Sequence, residues 1–169
     1  NKAGTALATN YALAKNYQSI VFIGLDVKES FEYSREAGYI NTLQQHKKIP
    51  QIYRLANHSR VSQAFINENW RKFAPDTCFI CASDSIAVGV ERGIIENGGD
   101  VPRDFGIIGF DGVFLDQVAN PQLTTVKQPV QQLGELLARM LLQKLAQSGA
   151  QQGELLVTPE LITRGSTRE

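Results

Sequence analysis

Three runs of this sequence, SIVFIGLD (19–26), TCFICAS (77–83) and FGIIGF (105–110), are apolar at successive positions over the length of a strand. A strand apolar on both sides must be buried on both faces, and sheets built that way are parallel, with helices above and below. Helical patterns fill the intervals as this demands. AGTALATNYALAKN places Ala3, Leu7, Tyr11 and Ala14 in one stripe, and SREAGYINTLQQHKK (34–48) does the same with Ala37, Ile40 and Leu43. QIYRLA (51–56) reads as a further strand. SRVSQAFINENWRKF (59–73) reads as a helix with Ser59 as N-cap and Val61, Phe65 and Phe73 on the buried side. Asp84 is expected to cap SIAVGVERGIIENG, which Gly98 and Gly99 then stop. The expected class is α/β: a three-layer sandwich with a mostly parallel sheet.

Ligands of such sheets bind beyond the carboxyl ends of the strands. Three acidic turns occupy those ends: GLD after the first strand, ASD after the third, and FDG after the fourth. Asp84 is explained as a helix cap, but no strong helical pattern follows Asp111. The chain then runs through LTTVKQP, a short β-branched strand closed by a proline, into an amphipathic helix over 131–145. That helix carries Leu133, Leu136, Leu137, Met140, Leu141 and Leu145 as a broad apolar face. A polar SGAQQG loop follows, and then ELLVTPELITRGST, a strand interrupted at Pro159.

Several function classes are disfavoured. Seventeen basic and seventeen acidic residues cancel, so the chain carries no large basic footprint for nucleic acid. No apolar run reaches the roughly 18–20 residues that span a bilayer, and Asn1 opens no signal-peptide pattern. Cys78 and Cys81 have CxxC spacing, but on a strand they point to opposite faces and read as small buried hydrophobes. With no second ligand pair, and with His46 and His58 outside zinc spacing, neither a metal site nor a cofactor is expected. Nucleophile-elbow, phosphate-loop, dinucleotide and zinc-protease motifs are absent, which makes an enzyme a minority reading.

The ordered set ASDxxAxG, VPxDxxIxGFD and PxLTTVxQP, read from CASDSIAVGVERGIIENGGDVPRDFGIIGFDGV and PQLTTVKQPVQQLGELLARMLLQKL, resembles the lactose/galactose-repressor family of bacterial transcription regulators. The resemblance extends back to NKAGTALATNYALAKNYQSIVFIG and covers essentially the whole chain. It implies the C-terminal lobe of a two-lobed, periplasmic-binding-protein-like core that holds an effector in its cleft. Residues 1–128 would form that lobe. Residues 129–154 would form a crossover helix and loop packed on the N-terminal lobe, and 155–169 a C-terminal strand and tail. The family's helix-turn-helix headpiece and most of the other lobe would lie outside these residues, leaving the apolar face of 133–145 uncovered unless another chain meets it.

The same resemblance assigns roles. Arg35 takes the family's cleft arginine position, where a planar fork of N–H donors suits sugar hydroxyls or the edge of a base. Asp111 matches the aspartate that accepts hydrogen bonds from the effector. Ser83 stands where some members carry asparagine, and Gln128 sits at the crossover hinge. His58 falls where relatives place a ring that stacks on the effector, and Glu29 and Phe31 lie on the loop before Arg35. Val88, Ile95, Leu115 and Val118 are expected at a homodimer interface. The implied function is the effector-sensing domain of a cytoplasmic transcription regulator. Its effector would be a sugar or sugar phosphate, with a nucleobase also open, and it would bind operator DNA only through the headpiece. A periplasmic sugar-binding protein of the same fold and a carbohydrate-processing enzyme are the alternatives.

Overall fold

A computed structural model describes residues 1–146 and 156–169. The elements run α1 (Lys2–Ala14), β1 (Ser19–Leu25), α2 (Ser30–Gln45), β2 (Gln51–Leu55), α3 (Ser59–Asn69) and β3 (Thr77–Cys81), then α4 (Asp84–Glu96), β4 (Phe105–Asp111), α5 (Leu115–Val118), β5 (Thr124–Lys127), α6 (Val130–Ala146) and β6 (Glu160–Ile162). A short 3-10 turn at Trp70–Lys72 follows α3. The strands form one sheet in the order β2-β1-β3-β4-β5-β6. The first five are parallel, and β6 pairs antiparallel with β5. SGAQQG lies outside the described residues, and β6 starts only after Pro159.

The chain moves outward from β1 to β2, then back across β1 to β3 and β4. Right-handed crossovers in opposite directions put their helices on opposite faces. Accordingly α1 packs with α2, and α3 with α4. The doubly apolar runs became the inner strands: β3 is buried throughout, and β1 and β4 nearly so. Tyr39 fills the core beside Phe22, and its hydroxyl donates to the Ile20 carbonyl at 2.7 Å. Cys78 and Cys81 are free and buried, and burial pushes both thiols up.

Helix faces depart from the hydrophobic stripes. In α1 the buried residues are Gly4, Thr5, Ala8, Thr9 and Ala12, while Ala3 and Ala14 are exposed, Tyr11 is half-buried and Leu7 is 41 % exposed. Small residues win because the helix sits against the sheet: a Cβ on Gly4 would stand 2.8 Å from Val126 Cγ1. Helix α2 starts at Ser30, so Phe31 belongs to its first turn rather than to a loop. In α3 the inward positions are Ser62 and Ile66, with Phe65 half-buried and Val61 outside.

Two caps also shift by one residue. His58, not Ser59, caps α3, its Nδ1 accepting from the Arg60 N–H at 3.1 Å. Ser83, not Asp84, caps α4, its Oγ accepting from the Ile86 N–H at 3.2 Å. Asp84 is freed for another task described below.

The returning helix α6 has half-buried Leu133 and Leu136, but Leu137, Leu141, Leu142 and Leu145 are largely exposed. Around α4 and α5, Ile95, Phe114 and Val118 are exposed as well. Val88 is corrected: at 6 % exposed it serves this lobe's own core and is not free for a partner. The Leu115 side chain lies outside the described residues.

Candidate functional site

Each parallel strand contributes one residue from its carboxyl end to a single open depression of about 340 Å³. Leu25 comes from β1, Asn57 from beyond β2, Ser83 from beyond β3, Asp111 from β4 and Gln128 from beyond β5. Asn1, Phe31 and Arg35 complete the lining. The depression lies where the chain reverses its direction across the sheet, the place where open α/β sheets bind ligands. Larger depressions of about 640 and 670 Å³ lie beside the start of α6 and near the C-terminal tail. The two arginines of the latter are already engaged, Arg164 with Asp116 and Arg168 with Asp76. Convergent chemistry therefore favours the smaller depression.

Arg35 organises it. Only 5 % exposed, it projects from α2, with its guanidinium carbon 4.0 Å from the Phe110 ring centre and 5.3 Å from that of Phe31. Its Nη2 donates to Asp111 Oδ1 at 3.0 Å, its Nε to Asn1 Oδ1 at 3.1 Å, and its Nη1 to the Ala82 carbonyl. Gln128 Nε2 donates to the same Asp111 oxygen at 2.6 Å, and the Gln128 N–H reaches the Asp111 carbonyl at 3.2 Å. The crossover thus begins locked to the acid.

Asp111 ends β4 with φ +105°, a region that L-residues seldom occupy, and Gly112 follows at φ +70°. This left-handed exit keeps a helix from continuing directly out of FDG, and only the four-residue α5 follows, from Leu115. A Cβ on Gly112 would also press within 2.7 Å of Lys127, so glycine suits both the angle and the space.

Beneath the depression Asp84 is fully buried. It accepts from Thr125 Oγ1 at 2.6 Å and from the Val113 N–H at 2.9 Å, joining α4 to β5 and to the turn after Asp111. A Cβ at Gly109 would meet its carboxylate at 2.2 Å, so glycine is what admits the acid there.

Burial pushes the Asp84 carboxyl up to about 6, against the pull of those two hydrogen bonds. Burial likewise raises Glu91 on α4 to about 7, with its Oε1 unpartnered among the described residues. Both folded values lie above the ordinary 3.8 and 4.5. The folded state therefore binds protons that the unfolded chain does not, and stability is lost as pH rises through about 6 to 7. Glu96 and Asp104 are lowered by hydrogen bonds from Gln63 and Arg103 and act oppositely, but only at lower pH. The melting temperature should be higher at pH 5.5 than at pH 8 by a few degrees. Glu91→Gln should remove much of the difference. Calorimetry across that range tests this, and a flat profile would contradict it.

Of the residues singled out in the sequence, Arg35, Asp111, Ser83, Gln128 and Phe31 meet at this depression. His58 does not line it: it is exposed and turned to cap α3. Glu29, exposed at the N-terminus of α2, does not line it either. Asn57, Leu25 and Asn1 were not anticipated. For Asn57 the available signal was its place one residue before a cap, where the chain turns at a strand's carboxyl end. Among the described residues no cluster could hold a metal ion, and no helix is long and apolar enough to cross a membrane.

Residues 9–167 match the family model of the periplasmic binding protein-like domain. The chain is 42 % identical over 167 residues to an uncharacterized HTH-type transcriptional regulator, YvdE, of Bacillus subtilis (strain 168), covering 99 % of this chain and 53 % of that protein. It is 29 % identical over 171 residues to the ribose operon repressor of Haemophilus influenzae, covering 96 % of this chain and 50 % of the relative. A dimeric Lac repressor with a C-terminal deletion superposes with a TM-score of 0.90 at 25 % identity, over 98 % of this chain and 61 % of that one. The chain thus spans about half the length of these curated relatives. A strand-end depression on a parallel sheet, the family match over nearly all its length and these relatives agree: the chain belongs to the periplasmic binding protein-like domain family, in the form of the effector-binding domain of LacI-family regulators.

Proposed function

We propose that this chain is one lobe of the effector-sensing core of a bacterial transcription regulator, acting in the cytoplasm on a small polar effector such as a sugar. The observation that carries the reading is the convergence of five strand ends on the Arg35–Asp111 pair. Arg35, Asp111, Gln128, Ser83 and Phe31 hold the effector in this proposal, together with Asn57. Residues 1–128 form the lobe, 129–154 return to a second lobe that closes the cleft, and 155–169 complete the sheet edge. The exposed leucines of α6 supply the surface for that second lobe. Effector binding favours one arrangement of the lobes and shifts their population, which a helix-turn-helix headpiece elsewhere in the full-length protein transmits to operator DNA. With no net charge of its own, this lobe contributes little affinity for DNA. The relatives are regulators rather than enzymes, and the depression is read as a binding site without turnover.

Exposed Ile95 and Val118, with Phe114 beside them at 71 %, form the proposed homodimer face. The test is calorimetric titration of the full-length protein with a panel of sugars, coupled to operator binding and sedimentation. The expected result is one sugar bound per chain, altered operator affinity, and a dimer weakened by Val118→Glu. A protein that binds operator yet responds to no small molecule would refute the sensing role.

A further inference from the structure

We infer that Asn57, with its side-chain amide locked by Ser83, determines which effector is accepted: it offers N–H donors to an oxygen of an uncharged, polyhydroxylated ligand and reads that ligand by hydrogen bonding rather than by stacking. This rests on the sensing role proposed above and specifies its ligand.

The lock follows from proton counting. Ser83 is 3 % exposed, and its Oγ already accepts the Ile86 N–H as the α4 cap. Its one proton has no other acceptor among the described residues and goes to Asn57 Oδ1 at 2.7 Å. A hydroxyl that donates requires an acceptor, so the amide is held with its oxygen toward Ser83. Both N–H groups of Nδ2 then remain, with no partner among the described residues, on a residue that lines the depression. The helix cap that orders α4 therefore also fixes the polarity of this wall.

No ring stands beside Asn57 on its own loop to take over the contact, because His58 is turned to cap α3. Among the described residues the one aromatic lining the depression, Phe31, lies by Arg35 on α2. A ligand therefore meets an apolar ring from α2 and a donor wall at Asn57. Asp111 and the Gln128 amide oxygen supply acceptors, while Gln128 Nε2 gives one of its two N–H groups to Asp111.

Charge separates ligand classes. Among the lining residues Arg35 and Asp111 are the charged side chains, and they neutralise each other at 3.0 Å. Three of the five guanidinium N–H groups are engaged by Asn1, Ala82 and Asp111. A phosphate or carboxylate would have to displace Asp111 or lie beside it, with no second cationic side chain among the lining residues to receive it. An uncharged hydroxyl array meets alternating donors and acceptors at no such cost.

The test uses the full-length protein and, as probes, ribose, glucose, galactose, maltose and the 5- or 6-phosphate esters of the three monosaccharides, titrated calorimetrically. A neutral sugar should bind, and where that sugar is a monosaccharide its phosphate ester should bind at least tenfold more weakly. Asn57→Ala and Asn57→Asp should each weaken the preferred sugar tenfold or more. Ser83→Ala should weaken it less, by releasing the amide, and Ser83→Thr should restore affinity because the hydroxyl returns. Melting curves for each variant separate lost binding from lost fold. If a phosphate ester binds more tightly than its parent sugar, or no neutral sugar binds, the ligand class is wrong. If Asp111→Asn abolishes binding while both Asn57 variants bind normally, this inference fails and the sensing site stands. Binding unaffected by Asp111→Asn and by the Asn57 variants alike overturns both.

Discussion

Arg35→Met should abolish effector binding and lower the melting temperature together. The guanidinium is buried between Phe110 and Phe31 and ties the ends of β3 and β4 to the start of α1. Charge-assisted hydrogen bonds contribute about 1.5–3 kcal/mol each, so losing two to a ligand weakens affinity by roughly a hundredfold or more. Methionine keeps some of the packing but removes the Arg35 donor from the Ala82 carbonyl and leaves Asp111 with Gln128 alone. Breaking a fully buried ion pair costs about 3–5 kcal/mol. The Asp111 side chain is 31 % exposed, so water recovers part of that and a loss nearer 1–3 kcal/mol is expected. By the same coupling Asp111→Ala should lower the melting temperature as well as the affinity, because it strips Arg35 and Gln128 of their shared acceptor. Asp111→Asn is the milder partner variant, since it keeps shape and one acceptor. Titration and thermal melting of the full-length variants decide the matter: Arg35→Met binding within threefold of the native protein would remove Arg35 from the site.

How much of this was legible beforehand depended on which physical signal each residue carries. The inner strands β1, β3 and β4 announce themselves because burial on both faces leaves continuous apolar runs. Edge strand β2 was found from its apolar residues, although it is only half-buried. Helix faces were less readable. Hydrophobic periodicity selected Leu7 in α1, whereas close approach to Val126 and Phe110 selects small residues. A stripe of Gly, Ala and Thr is invisible to a scale that rewards size.

The site divides in the same way. Arg35 and Asp111 were singled out through motifs, and their three-dimensional partnership follows from α2 lying over the strand ends. Which of the adjacent pairs Asn57/His58 and Ser83/Asp84 faces the depression could not be read from composition. In both pairs one residue caps a helix, and one residue of shift turns a side chain from solvent to cleft or from cleft to core. His58 as cap releases Asn57 to the depression. Ser83 as cap releases Asp84 to bind Thr125 and Val113 below it.

Gly89→Val should destabilise the lobe more than any other single glycine substitution in α4. An added Cβ would lie 2.0 Å from both the Ser59 carbonyl oxygen and Ser62 Oγ, and one of these is backbone. One turn on, a Cβ at Gly93 would meet Ile66 Cβ at 2.7 Å, so the two glycines form a groove in which α3 rests. Valine forces the helices apart and strains the Ser62 Oγ–Ile86 carbonyl bond of 3.0 Å that crosses between them. Overpacking of this kind costs about 1–3 kcal/mol or more. For a domain of this size that is a fall of about 5–10 °C in melting temperature. Effector affinity should fall as well, because α3 begins at the His58 cap that follows Asn57 and α4 at the Ser83 cap. Gly134→Ala is the contrasting variant: nothing lies within 4 Å of that position, so alanine should favour α6 by about 0.5–1 kcal/mol through backbone entropy alone. Thermal unfolding of both variants provides the comparison. A Gly89→Val protein that melts with the native one would mean that α3 and α4 are not packed backbone to backbone, and the link from that packing to the cleft wall would fall with it.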